Sequence, residues 1–102
     1  MYKPAIAIGA TLVGASLVLL PPAQADNSAF VREAKALGFQ QAAANLISTA
    51  RSACYFLSLN RDPGHVRERI SRYLAVDADL GRTFFAMSVN EYCPQYHDRV
   101  GG

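Results

Sequence analysis

Leu46-Ile47-Ser48-Thr49-Ala50-Arg51-Ser52-Ala53-Cys54-Tyr55-Phe56-Leu57 carries the first of the chain's two cysteines, and Asn90-Glu91-Tyr92-Cys93-Pro94 carries the second. At a helical rotation of about 100° per residue, Leu46, Ile47, Ala50, Ala53, Cys54 and Leu57 share one arc of about 120°. Asn45, Ser48, Arg51 and Ser58 fall outside it. The stretch therefore reads as an amphipathic helix, with Cys54 at the margin of its apolar stripe. Two cysteines allow a single connectivity, and in a short exported chain they read as a structural disulfide. Closing a loop of roughly 40 residues contributes about 4 kcal/mol on the chain-entropy account, against ~5–15 kcal/mol for a whole small domain. A metal site would need more soft ligands, and a redox pair would place its cysteines closer in sequence.

Export is read from the first twenty-five residues. Met1-Tyr2-Lys3-Pro4 carries one positive charge, Ala5 to Leu20 has no charged residue, and Pro21-Pro22 breaks the apolar run. Ala23-Gln24-Ala25 then supplies the small residues of a signal-peptidase site, so residues 1–25 are expected to be a secretory signal cleaved after Ala25. The apolar run is shorter than the ~18–20 residues of a membrane-spanning helix, so no stable anchor is expected after cleavage. No Arg-Arg pair precedes it, which favours the general secretory route.

Residues 26–102 are then one domain, with an ordered core over about 28–94 and a loose polar tail over 95–102. Without Lys3 the net charge falls from +2 to about +1, too near neutral to suggest nucleic acid as a partner. Asp26-Asn27-Ser28 offers N-cap side chains to a short helix bearing Phe30, Val31, Ala34 and Leu37, which Gly38 ends. Such a short helix must be held by packing Phe30 and Leu37. The cysteine-bearing helix is expected from Gln40 to Leu59, with Asn60 in a left-handed terminating turn. Asp62-Pro63 starts a third helix whose apolar face is Val66, Ile70, Tyr73 and Leu74. Asp77 or Asp79 caps a fourth, through Leu80, Phe84 and Met87 to Tyr92, where Pro94 stops it. Phe85, Val89 and Tyr92 widen its apolar arc past a single stripe, so this helix is either central or partly exposed to a partner. The expected fold is all-α: four short helices around one core, stapled by Cys54–Cys93.

The order of features resembles a known family. An export signal, a Phe-led helix ending in Gly38, an alanine-rich helix to Cys54, Leu57 three residues on, Val66 and the Tyr92-Cys93-Pro94 ending are similar to domain of unknown function 732. That family comprises small secreted actinobacterial, chiefly mycobacterial, proteins, and the resemblance runs from Phe30 to Pro94. Asn60 stands where the family often has glycine, and serves the same left-handed turn. The resemblance implies location and fold; it transfers no catalytic residue.

Side chains with chemistry are few. His65 and His97 have no second ligand at helical spacing, so no metal and no cofactor is expected. Asp77 and Asp79 read as helix caps rather than as an acid–base pair. Nucleophile-elbow and phosphate-loop motifs are absent from the sequence, and the chain reads as non-enzymatic. A hydrolase would need His65 or His97 beside a serine or carboxylate. Arg61, Arg67, Arg69 and Arg72 form a candidate anion patch for phosphate or carboxylate groups of envelope lipids or glycans. The competing account is a solvated face balanced by Asp62 and Glu68. Tyr55, Phe85, Val89 and Tyr92 form a candidate binding surface, unless these rings pack beneath the first helix and the tail. The function expected from sequence is a secreted binding domain for a protein or an envelope component. The alternative is a carrier of a small apolar ligand held between helices.

Overall fold

The computed structural model describes residues 26–101, and the expected signal segment, 1–25, lies outside the described residues. Four α-helices follow in order: α1 Asn27–Ala36, α2 Ala43–Ser58, α3 Pro63–Leu74 and α4 Ala78–Tyr92. A 3₁₀ helix, Pro94–Arg99, follows α4. The described residues contain no strand, and none of their helices is long and apolar enough to cross a membrane.

Caps set the boundaries. Asp26, Asp62 and Asp77 each accept a bond from the backbone N–H three residues on, at 3.1, 3.1 and 2.8 Å. These satisfy donors that a first helical turn leaves unpaired. Asp77, rather than Asp79, is thus the cap of α4, while Asp79 pairs with Arg82 at 2.9 Å. The first three helices end alike. Gly38, Asn60 and Ala75 have φ of 108°, 63° and 58°. The N–H of the residue after each reaches back to the carbonyl of Ala34, Phe56 or Ser71, at 3.0–3.2 Å. This is the Schellman arrangement, which fills orphan carbonyls and requires one left-handed residue. Glycine adopts that conformation without steric cost and asparagine often, but alanine does so against its own Cβ.

Helix α4 is the central element, in contact with α1, α2, α3 and the 3₁₀ helix. That explains its wide apolar arc: Phe84, Phe85 and Val89 are all fully buried. Ser88 is buried among them, its hydroxyl donating to the Phe84 carbonyl at 2.7 Å, so it leaves no unpaired polar group. Phe30 and Phe39 bring the α1 end of the chain onto Phe84, with ring centroids 5.5 and 5.1 Å away. The disulfide then ties α2 to the end of α4, with Cα atoms of Cys54 and Cys93 5.9 Å apart across 39 residues.

Several expectations are corrected. Leu37 is 42% exposed, because the turn at Gly38 buries Phe39 in its place. Helix α2 begins at Ala43, not Gln40: Phe39 is committed to the core, and the Gln41 side chain donates to the Leu74 carbonyl at 2.9 Å, holding the loop against the end of α3. Tyr73 is 65% exposed, so the buried face of α3 is Val66, Ile70 and Leu74 alone. The segment expected as a loose tail is folded. Tyr96 and Val100 pack on the core, and Arg99 donates to the Leu57 carbonyl at 3.1 Å and the Asn60 side chain at 3.0 Å. Those acceptors lie at the end of α2, where a cation favours the carbonyl terminus.

Gly81 sets the α3–α4 approach. A Cβ there would lie 1.7 Å from Ser71 Oγ and 2.9 Å from Ser71 Cβ. Rotating the hydroxyl relieves the first clash but not the second. Gly81→Ala is therefore expected to lower stability by about 1–3 kcal/mol in chemical denaturation, with partial recovery in a Ser71→Gly background. Ala75→Gly should act in the opposite direction. It removes a left-handed penalty of about 1–2 kcal/mol and adds about 0.5–1 kcal/mol of glycine entropy, so a small rise in melting temperature is expected.

Candidate functional site

The site is a groove along α2 and α3. These two helices are joined by the short turn through Asn60, and their facing sides do not close completely. Ala53, Phe56, Val66 and Ile70 line the bottom of a hollow of about 630 Å³. That volume lies in the range of small-molecule sites. Ser48, Ser52 and Phe56 recur every four residues and so stand in one line along α2. From α3 the walls are Arg69, Arg72 and Tyr73. A second hollow of about 260 Å³ lies towards the interhelical turn. It shares Phe56, Val66, Arg69 and Arg72 with the first and adds Arg61, Asp62, His65 and Glu68.

Arginines crowd the turn end of the groove, with Asp62 and Glu68 among them. The Arg69 and Arg61 guanidinium carbons lie 5.0 and 6.0 Å from the centroid of the Phe56 ring. Both are within reach of the ring's negative face. Neither makes an ion pair among the described residues. Of the two carboxylates expected to balance the patch, Asp62 accepts the His65 N–H as the cap of α3. Glu68 faces Arg72 at 3.4 Å, in a pair largely exposed at both ends and therefore worth little. Thr49 donates inwards to the Asn45 carbonyl at 2.7 Å, but no hydrogen bond within the described residues engages the hydroxyls of Ser48 or Ser52.

The four arginines singled out in the sequence do not share one face. Arg61, Arg69 and Arg72 border the groove, whereas Arg67 lines the opposite, α3–α4 side, its guanidinium 5.9 Å from the centre of the Phe85 ring. The candidate aromatic surface is dismantled further. Phe85 and Val89 are wholly inaccessible, because α4 is surrounded, and so cannot meet a partner. Tyr92 is half-buried, edge-on to Phe30 at 5.3 Å and beneath the Arg51 guanidinium at 5.3 Å, with its hydroxyl donating to Asn27 Oδ1. Tyr55 alone remains out in solvent, 60% exposed, on a shallow shoulder with Ile47 and Arg51.

His65 and His97 are both exposed, and neither imidazole is hydrogen-bonded to a hydroxyl or carboxylate among the described residues. Those residues also hold no group of three or more His, Cys, Asp or Glu side chains placed for a metal. Phe56 is the groove-lining residue that the sequence reading passed over. It lies beside Cys54 just off the apolar stripe, and the spacing of Ser48, Ser52 and Phe56 is the signal that marks the line.

Burial raises the Tyr92 phenol above its ordinary value of 10.0; Arg51 opposes the shift, and Glu91 and Asp26 add to it. Both folded and unfolded chains hold this proton below that value, so stability is unaffected there. Above pH 10.0 the unfolded chain ionises first, and stability falls as pH rises through the folded value. A tyrosinate absorbance titration should show a step displaced above pH 10.0 that Tyr92→Phe removes. An unchanged titration in the variant would refute the assignment.

A family model described as Protein of unknown function (DUF732) matches residues 24–95. No curated protein and no solved structure matches the chain.

Proposed function

The chain belongs to this DUF732 family, and we propose that it is a secreted, non-enzymatic binding domain whose α2–α3 groove takes an anionic amphiphile of the cell envelope. One observation carries the reading: two guanidinium groups without carboxylate partners stand over an apolar groove floor, at Phe56. An apolar chain laid along Ala53, Phe56, Val66 and Ile70 gains by leaving water. A phosphate or carboxylate head at the turn end meets Arg61 and Arg69, whose planar forks suit bidentate bonds to such groups. Ser48 and Ser52 supply hydroxyls for polar atoms further along the chain.

The groove favours this reading over an enclosed carrier, because Arg69, Arg72 and Tyr73 form an exposed rim. Export rests on Met1–Ala25, whose charged start, apolar run and small-residue ending have the order of a secretory signal. The disulfide agrees with an oxidising compartment.

Dodecyl phosphate, below its micelle concentration, is a suitable probe for calorimetry and NMR shift mapping on the exported protein. It is expected to bind with perturbations centred on Phe56 and Ile70. The double change Arg61→Glu/Arg69→Glu should weaken binding about tenfold or more, the loss of one charged hydrogen bond or two. Dodecanol should bind less well than the phosphate ester. Affinity indifferent to charge reversal, or shifts mapping away from α2 and α3, would remove the proposal.

A further inference from the structure

The start of α1 is held by the end of α4. The backbone nitrogen of Asp26 donates to Glu91 Oε2 at 2.7 Å, across 65 residues of sequence. Beside it, the Tyr92 hydroxyl donates to Asn27 Oδ1, and Phe30 lies edge-on to the Tyr92 ring. One residue further on, Cys93 anchors this end of α4 to α2. The nitrogen in this contact belongs to the bond that a signal peptidase is expected to cut.

We infer that Glu91 is the receptor for the α-ammonium group created by cleavage before Asp26, so that processing itself adds an ion pair between α1 and α4. The inference rests on the export reading. In the cleavage step water adds across the Ala25–Asp26 peptide bond. Its hydroxyl goes to the Ala25 carbonyl carbon, the C–N bond breaks, and the Asp26 nitrogen departs as an amine. The proton released by the new Ala25 carboxyl group at neutral pH is balanced by the one that this amine takes up. The nitrogen keeps its place beside Glu91 but changes from a neutral amide donor to a cation with three donors.

The surroundings suit a cation at that point. The last turn of α4 contains no basic residue, and its terminal carbonyls favour a positive charge nearby. Glu91 in that turn is unfavourable to the α4 dipole when unpaired, and the ammonium offsets it. An ammonium at the start of α1 is likewise disfavoured by that helix's dipole, and the carboxylates of Asp26 and Glu91 offset that in turn. The charged and titratable groups facing the site are the Asp26 and Glu91 carboxylates, the Tyr92 phenol and, from α2, Arg51 above the Tyr92 ring. Asp26 thus has two separate tasks: its side chain caps α1, and its nitrogen engages α4.

The full chain, exported from a bacterial host and recovered from the medium, supplies the test. Its intact mass is expected to begin at Asp26; a different start overturns the export reading and, with it, the inference. The recovered protein is then compared before and after selective acetylation of its α-amine near neutral pH, with Lys35 as the only other amine of residues 26–102. Acetylation should lower the melting temperature at pH 6–7 by about 2–6 °C, and 1 M salt should shrink the difference. In Glu91→Gln acetylation should no longer lower the melting temperature, and the α-amine should titrate at lower pH than in the parent protein. The sign follows from linkage: a proton held more tightly by the folded state stabilises at low pH, and that contribution is lost as pH rises through the folded-state midpoint. Using the acetylated protein as reference cancels the ionisation of Tyr92, which both forms share. Equal melting of the two parent forms, or an α-amine midpoint unmoved by Glu91→Gln, overturns the ion pair while leaving the cleavage position intact.

Discussion

Everything else in this domain depends on α4 being enclosed. A single fifteen-residue helix is in contact with α1, α2, α3 and the 3₁₀ helix. Its apolar residues are therefore needed on nearly every side. Enclosure requires close approach, which Gly81 permits against Ser71, and it requires that no polar group be stranded, which Ser88 achieves by bonding its own helix. The Cys54–Cys93 bond joins the far end of that helix to α2, so its two ends are held by different means. One is held by packing through a missing side chain, and the other covalently. A domain of this size buries only about 60% of the surface its unfolded chain exposes, so a covalent constraint has a large relative effect.

The same enclosure decides which apolar surface stays accessible. With α4 covered, its large aromatics are core rather than surface, and the accessible apolar area shifts to the seam between α2 and α3. That seam combines two properties rarely left together on a small domain: an apolar floor, and guanidinium groups without carboxylate partners at its edge. Arginine is suited to this position because its weakly hydrated plane can rest on Phe56 while its edge donates outwards. The carboxylates that could have neutralised it are engaged in capping α3 or in a solvent-exposed pair with Arg72.

Helix ends carry a second theme. Three successive helices terminate by the same backbone arrangement although the residue in the left-handed position differs, glycine, asparagine and then alanine. Two ends also receive side chains from distant segments: Gln41 at the Leu74 carbonyl and Arg99 at the Leu57 carbonyl. These bonds turn the loops and the C-terminal segment into parts of the packed unit.

Much of this was legible from the sequence. Helix number, the cap at Asp62, a cap within Asp26–Ser28 and another at Asp77 or Asp79, the turn at Asn60, and the pairing of the cysteines follow from local rules: 3.6-residue periodicity, N-cap chemistry, left-handed tolerance and a single possible connectivity. The all-helical class and the family follow from the same residues. Periodicity could not decide which widely apolar helix would be surrounded, because an arc records how much of a helix is hydrophobic and not what covers it. Phe85 and Val89 look like a surface in one dimension and are core in three. Arg61, Arg67, Arg69 and Arg72 cluster along the chain, and helical spacing already sets Arg67 on the flank of α3; what it meets there, Phe85, is fixed by packing. The folding of the C-terminal segment, the α2–α3 groove and the contact between Asp26 and Glu91 all join residues remote in sequence. Such partners are chosen by packing, and only the tertiary structure can name them.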